Sequence, residues 1–415
     1  MSKVLITGMG AISPLGIGRQ ATFESSLEGR CAVTAAPPEI SRWLPNLLVA
    51  PCACPDALLD ARCAGLDRAT RFALVAAQEA VEEAGMGAHP ADARRIGVYV
   101  GIGFGGAQTV DALYTRFQEN VAQGSRNPAI VHPLSVPRMM ANSAAAMVSM
   151  KYGLHGPSHT YSVACASSAI AIGEAYRAIR GGYIDAAVVI GTEAMLTPGA
   201  MMAWNALRVM AKPDASDISR SCRPFSLNRS GFVLGEGAAA IVLESEARAT
   251  ARKQAALGEL CGYGCSSDAE HLTAPSSAEQ VVAMRQALDE AGLEPADIGY
   301  LNAHGTATDA GDVVETQSIR SVFGEAASRL PVSSTKSMHG HLIGASGILE
   351  FVISVMAMNR GDLPPTATLD NPDPRCDLDF IPLTARRGCD VRAVMSNSFA
   401  FGGSNACLIA RRVES

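Results

Sequence analysis

Thr160-Tyr161-Ser162-Val163-Ala164-Cys165-Ala166-Ser167-Ser168-Ala169 reads as a strand-like run that turns through small residues directly into a helix. In that helix apolar or small residues fall at Ala169, Ile170, Ile172, Gly173, Tyr176 and Ile179, covering most of the circumference, as in a buried helix. A strand feeding a buried helix is the unit of an α/β protein, and the alternation extends both ways. Upstream lie strand-like 4–7, a helix over 66–84 and strand-like 96–100; downstream lies strand-like 186–190. The run 238–243 closes a first half. The pattern restarts at 259–263, with a helix over 279–291, a strand near 298–301 and a further helix from Gly344. No close internal sequence repeat accompanies the restart.

Cys165 is the candidate nucleophile. A thiol in the first turn of a helix feels the positive end of the macrodipole and unpaired backbone N–H groups, which favour thiolate and can hold an oxyanion. Small neighbours at Ala164, Ala166, Ser167 and Ser168 leave room for an acyl group. A free cysteine is otherwise often a small buried hydrophobe, so the chemistry depends on what accompanies it.

Three motifs do. Asn302-Ala303-His304-Gly305-Thr306-Ala307-Thr308-Asp309-Ala310-Gly311-Asp312 reads as a loop at a strand end. The stretch from Ser333 to Gly347 carries Lys336, His339 and His341 ahead of the apolar helix that holds Glu350, Phe351, Ile353 and Met356. Asn397-Ser398-Phe399-Ala400-Phe401-Gly402-Gly403-Ser404-Asn405 is a glycine-rich turn before a final apolar strand over 406–409. His339 and His341 lack an acidic or cysteine partner at zinc-like spacing, so no metal site is expected. A papain-like hydrolase needs one histidine and an orienting amide; two histidines plus a lysine exceed that. Two neutral imidazoles can each donate an N–H to one oxygen and so hold the enolate formed when a malonyl thioester loses carbon dioxide. Lys336 would hold histidine geometry and local charge. A second hole, from the backbone N–H groups of Cys165 and Phe401, would serve the tetrahedral intermediates of acyl transfer, with the cysteine carrying the chain between steps.

On these motifs, in this order, the chain resembles the β-ketoacyl-acyl carrier protein synthases of the ketosynthase II type, within the thiolase superfamily, from Val4-Leu5-Ile6-Thr7-Gly8-Met9-Gly10 to Asn405. The resemblance implies a duplicated layered αβαβα architecture, with one thiolase-like half over 1–250 carrying the cysteine and one over 251–415 carrying the histidine and lysine loops. It implies decarboxylative Claisen condensation of an acyl-enzyme with malonyl-acyl carrier protein, extending a chain by two carbons in fatty-acid or polyketide synthesis. Cys165 corresponds to the acylated nucleophile, His304 and His341 to the decarboxylation pair, Lys336 to the active-site lysine and Glu350 to its buried acidic companion. Phe401 corresponds to the gating phenylalanine, with Phe399 supporting, and Thr306, Thr308 and Thr273 to hydroxyls on the phosphopantetheine arm. His339 has no role in that scheme and reads as a loop histidine. No separate cofactor is implied, because substrate arrives on the phosphopantetheine arm of acyl carrier protein. The expected partner besides the carrier protein is a second subunit, in a homodimer or in a heterodimer with a chain-length subunit.

Departures from the housekeeping pattern point to specialisation. Ala400 stands where elongation enzymes carry glycine, and bulk at a gate alters its motion. The segment from Ala203 through Trp204 to Arg208, with Ser221-Cys222-Arg223-Pro224-Phe225, is similar to nodulation-type ketosynthases, and Ala400 resembles aryl-polyene ketosynthases. The competing readings are a polyketide or polyene ketosynthase, a catalytically silent chain-length partner, which would typically lack the nucleophile, and a degradative thiolase, which would need a cysteine in the final glycine turn.

The 415 residues are 48% hydrophobic and 18% charged, enough for a large core, and the net charge of −6 argues against a nucleic-acid binder. An acidic carrier protein would need a local positive patch, for which Arg62, Arg68, Arg71, Arg126 and Arg208 are the candidates. Eleven scattered cysteines suggest reduced thiols in a cytosol, and the glycine-broken N-terminus does not read as a signal peptide. No uninterrupted apolar stretch reads as a membrane span, so a cytoplasmic protein is expected. The methionine-rich strip 195–204 reads as an acyl tunnel, a dimer face or plain core. The glycines of 101–106 lack the spacing of a dinucleotide loop.

Overall fold

The computed structural model describes residues 3–60, 63, 65–124 and 131–413. Arg62 and Arg126 lie outside the described residues.

Among the described residues the first half contributes β1 (Val4–Ser13), β2 (Ile96–Gly101), β3 (Ser158–Tyr161), β4 (Ala186–Glu193) and β5 (Gly237–Ser245). The second contributes β6 (Gly258–Ser267), β7 (Ile298–Asn302), β8 (Val332–Ser333), β9 (Ala393–Phe399) and β10 (Ser404–Arg411). The spatial order is β3-β2-β4-β5-β1 in one half and β8-β7-β9-β10-β6 in the other, the same arrangement twice. Directions repeat as well: β2 runs parallel to β3 and β4 as β7 does to β8 and β9, while β5 and β10 are antiparallel to both their neighbours. The halves meet where Val4, Leu5 and Ile6 of β1 pair with Leu260, Glu259 and Gly258 of β6.

Helices complete the expected αβαβα layering. α1 (Arg68–Glu83) covers the outer face of the first half, and α3 (Ser277–Ala291) with α4 (Asp309–Phe323) covers the outer face of the second. Between the halves lie α2 (Ser167–Arg180) and α5 (Ser346–Arg360), in one core with Met9, Val189 and Ile241 on one side and Tyr300, Val394 and Leu408 on the other. A helix buried on all sides must be apolar around its circumference, and every α5 residue from Ser346 to Met358 is buried.

One expectation is corrected by the length of the first strand. β1 continues to Ser13 rather than ending at Thr7, because Gly8 and Gly10 do not break the strand. They let α1 approach: a Cβ at Gly8 would lie 2.0 Å from Ala80 O, and one at Gly10 2.2 Å from Ala76 O. The alanines at 69, 73, 76, 77 and 80 supply the matching small face on α1. Ile343–Arg360 is long and apolar enough by length and composition to cross a membrane, but Glu350 interrupts it and 89% of it is buried as the core helix just described.

Candidate active site

β3 leads into a tight turn at Ala164–Ala166, in which Ala164 adopts φ 46°, and α2 starts at Ser167. The Ser167 hydroxyl donates to Ala164 O at 2.7 Å and accepts from Val163 N–H at 2.8 Å, closing the turn around Cys165. This places the thiol at the start of a central helix, where the backbone N–H groups of Phe401 and of Cys165 itself favour the anion. Burial pushes the thiol up to about 11, outweighing Lys336 and the two N–H groups that favour the anion, because loss of hydration disfavours the charged form.

His341 brings its Nε2 to 3.0 Å from Sγ. Its Nδ1 faces the Ser346 hydroxyl at 2.8 Å and the Ile343 N–H at 3.3 Å. The Ser346 oxygen already accepts from Leu342 N–H at 2.9 Å, so its own proton goes to Nδ1. With Nδ1 accepting, the ring proton sits on Nε2 and points at the sulfur.

His304 follows β7, edge-on to His341 at 5.5 Å between ring centroids and to Phe399 at 6.1 Å. Lys336 Nζ donates to His304 O at 2.6 Å, pairs with Glu350 Oε1 at 2.6 Å and lies 3.5 Å from His304 Nδ1. The cation against Nδ1 again leaves the proton on Nε2. Both imidazoles are held well below the ordinary histidine range, by burial first and by the Lys336 charge second, so both are neutral N–H donors near neutrality. Burial raises Glu350 to about 7 and Lys336 beside it acts in the opposite direction.

These groups surround a cavity of about 220 Å³ lined by Cys165, Phe232, His304, His341, Phe399 and Phe401 at its inner end. Thr273, Thr306 and Thr308 also line it, with the last two hydroxyls 3.1 Å apart. Lys336 and Glu350 are fully buried behind this wall. The Phe401 turn is tied down through Gly402 N–H to Leu272 O at 2.8 Å and Asp268 N–H to Gly403 O at 2.8 Å, while Gly402 and Gly403 hold φ 86° and 82°, where glycine is favoured. Ala400 sits in the cavity wall.

Cys165, His304 and His341 place potential ligand atoms within 4.8 Å of one another. A metal would need lone pairs on the facing nitrogens, and the hydrogen bonding puts protons there.

Several expectations need amendment. His339 is no loop residue: it ends the short helix Lys336–His339, fully buried, with Nδ1–H donating to Gly340 O at 2.7 Å and Nε2 accepting from the Thr335 hydroxyl at 3.0 Å. Burial lowers it to about 3. Arg68 is committed to Glu236 at 2.7 Å and to Cys52 O, and Arg71 to Asp56, so neither is a free member of a basic patch. The strip 195–204 divides: Met195, Met201 and Trp204 join the core around Cys165, while Met202 is exposed. In the 101–106 loop, Gly103 and Phe104 donate N–H groups to buried Glu193, which also accepts from Gly344 N–H.

Sequence reading missed Glu315, which accepts from the N–H groups of His304 at 2.8 Å and Gly305 at 2.7 Å. It also missed Arg229, which holds Thr308 O at 2.9 Å and pairs with Asp373 at 2.6 Å. A signal for Glu315 existed: Asp312, Glu315, Ile319 and Val322 follow helical spacing, so two carboxylates share a face with apolar residues.

A buried thiol and two imidazoles meeting at one cavity form an arrangement that can move acyl groups. The β-ketoacyl synthase N-terminal domain matches residues 1–249 and the β-ketoacyl synthase C-terminal domain residues 257–370, and the chain belongs to this family. It is 39% identical over 422 residues to a 3-oxoacyl-[acyl-carrier-protein] synthase 2 of Staphylococcus aureus, covering 99% of both chains. It is 40% identical over 413 residues to Nodulation protein E of Rhizobium sp. (strain N33), again covering 99% of both. Among solved structures, a type II polyketide ketosynthase in complex with its acyl-carrier protein superposes with a TM-score of 0.92 at 27% identity, covering 100% of both chains. The ishigamide ketosynthase/chain length factor superposes with 0.88 at 29%, covering 100% of both.

Proposed function

We propose that this chain is a β-ketoacyl-acyl carrier protein synthase in which Cys165 takes an acyl group from a carrier thioester and His304 and His341 hold the enolate of decarboxylated malonyl thioester. The observation that carries the proposal is the convergence of one thiol and two neutral Nε2–H donors on a single cavity, with backbone N–H groups of Cys165 and Phe401 at the sulfur. In acylation the Cys165 sulfur bonds to the thioester carbon, the carbon–sulfur bond to the carrier breaks, and the carrier thiol leaves with a proton. Malonyl thioester then loses carbon dioxide, its enolate oxygen accepting from the two imidazoles. The enolate carbon bonds to the acyl carbon, the Cys165 carbon–sulfur bond breaks, and the departing sulfur takes up a proton from water as the β-ketoacyl product forms. Thr273, Thr306 and Thr308 are assigned to the pantetheine arm, Phe401 to the gate, Phe399 to supporting His304, and Lys336 with Glu350 to holding the His304 loop. We read residues 1–250 and 251–415 as two thiolase-like domains, which the repeated strand order supports.

Cys165→Ala is expected to abolish condensation, and Cys165→Gln to retain release of carbon dioxide from malonyl-carrier protein. Wild-type condensation by Cys165→Ala would overturn the assignment.

We infer that carrier protein and a second subunit are the partners. Exposed Tyr114, Phe117 and Val121 on the helix Ala107–Ala122, which buries none of its side chains, with exposed Phe104, Val136 and Met140 nearby in sequence, support an apolar protein contact. Light scattering on the purified chain, alone and with a candidate chain-length subunit, separates homodimer from heterodimer. The similarity to a nodulation protein and to ketosynthases of polyketide systems supports a specialised product as the alternative to saturated elongation. Product analysis with the native carrier protein tests this, and exclusively saturated long chains would refute it. Reduced cysteines and a cytoplasmic site of action are the matching proposal for its location, tested by cell fractionation.

A further inference from the structure

We propose that Trp204 determines which acyl groups Cys165 accepts, by clamping the Phe401 turn and filling the space into which a longer acyl chain must extend. The proposal rests on the acyl-enzyme reading above and names the residue that selects its substrate.

Trp204 lies near the end of the helix Pro198–Ala206 and is buried. Its indole stacks on Phe401, with ring centroids 6.3 Å apart and planes 27° from parallel. It meets Phe232 edge-on at 5.8 Å, and Phe232 in turn meets the His341 ring edge-on at 5.3 Å. The indole Nε1–H donates to Met195 Sδ at 3.3 Å. Three separate contacts therefore fix one flat, rigid side chain between the gate and the imidazole that faces the nucleophile.

The position matters because of where the cavity stops. Cys165, Phe232, His341 and Phe401 are on its wall; Trp204, Met195, Met201 and Ile343 are not, and they pack with Cys165 in one apolar cluster beyond it. An acyl group on Sγ that outgrows the cavity must displace part of this cluster. The methionines are flexible and can refit. The indole is rigid, and moving it breaks the stack on Phe401 and the N–H···S contact together, so admission of a long chain is coupled to movement of the gate.

The test uses acetyl-pantetheine and octanoyl-pantetheine as acyl donors and follows the mass gain on Cys165 of the full chain with time, without malonyl substrate. Each acylation forms the Cys165 thioester, breaks the donor thioester and releases pantetheine thiol with the proton. The wild type should strongly prefer acetyl. Trp204→Ala and Trp204→Leu should raise the octanoyl-to-acetyl rate ratio by about tenfold or more, the scale on which apolar pockets discriminate chain length. Trp204→Phe keeps a ring against Phe401 and should leave the ratio within about twofold of wild type, on the same scale. An unchanged ratio in the leucine and alanine variants overturns the proposal, and if alanine fails to fold the leucine variant decides. A wild type acylated by neither donor refutes the acyl-enzyme reading itself, and the Trp204 assignment with it.

Discussion

The turn that follows β3 in the first half and the turn that precedes α5 in the second are the same piece of backbone used twice. Each enters its central helix through a short tight turn whose first residue adopts a left-handed φ, 46° at Ala164 and 44° at Ile343, although neither is glycine. Each central helix starts with a serine whose oxygen accepts the N–H four residues back: Val163 to Ser167 at 2.8 Å, Leu342 to Ser346 at 2.9 Å. In the first half this frame presents the thiol of Cys165. In the second it presents His341, and Ser346 spends its proton on the imidazole rather than on a backbone carbonyl. The lesson is that duplication supplies two strained turns facing each other at the start of the two central helices, and chemistry arises because the side chains placed on them differ. Non-glycine residues at positive φ cost stability and persist where surrounding contacts impose them.

Unequal loads on the two turns predict unequal responses to substitution. The largest effect should follow removal of the cation behind the second turn. Lys336→Ala leaves Glu350 buried without its partner and should cost about 3–5 kcal/mol of unfolding free energy, read by denaturant titration, with Lys336→Ala/Glu350→Leu recovering much of it. If the single substitution is neutral, the ion pair does not hold this half together.

Next, His304→Ala or His341→Ala should each slow release of carbon dioxide from malonyl-carrier protein by about a hundredfold, the scale of losing one donor to an oxyanion. Because both rings are held well below their ordinary range, the wild-type rate should not drop as pH falls through about 6.5, the free-histidine value. Stability follows the other sign: below that value the unfolded chain takes up protons that the native imidazoles refuse, so these histidines make unfolding easier with acid.

The first turn should reveal itself through its thiol. With Cys165 raised to about 11 by burial, its alkylation by iodoacetamide should climb about tenfold per pH unit without a plateau between about pH 7 and 9, since the thiolate is the reacting species. A plateau near neutrality would mean that the helix dipole outweighs burial after all.

The smallest effect sharpens the comparison most. Ser167→Ala and Ser346→Ala should each cost about 1 kcal/mol of stability, the usual worth of such a hydrogen bond. Only Ser346→Ala should also slow decarboxylation, because only that serine fixes an imidazole tautomer; equal catalytic losses would erase the distinction between the turns.

Much of this was legible in sequence. Cys165 was found from a local strand-to-helix pattern, and His304, Lys336, His341 and Phe401 from motifs within a few residues of strand ends. Glu315 and Arg229 were missed because their work is done on backbone atoms that only folding brings near: Arg229, in the first half, reaches Thr308 O and Asp373 in the second. His339 was misread for the same reason, since a histidine in a glycine-rich stretch looks exposed until the layers close over it.

What the sequence by itself determined was the alternation of elements, the kinship and the identity of the side chains that meet at the cavity, because periodicity and motif spacing depend on neighbours a few positions apart. Tertiary structure alone decided their charge and proton positions. Burial beneath two packed halves raises the Cys165 thiol and holds both imidazoles well below their ordinary range, and Lys336 beside His304 and Ser346 beside His341 set which nitrogen carries the proton, since hydration is lost and these partners are assigned only in the folded chain.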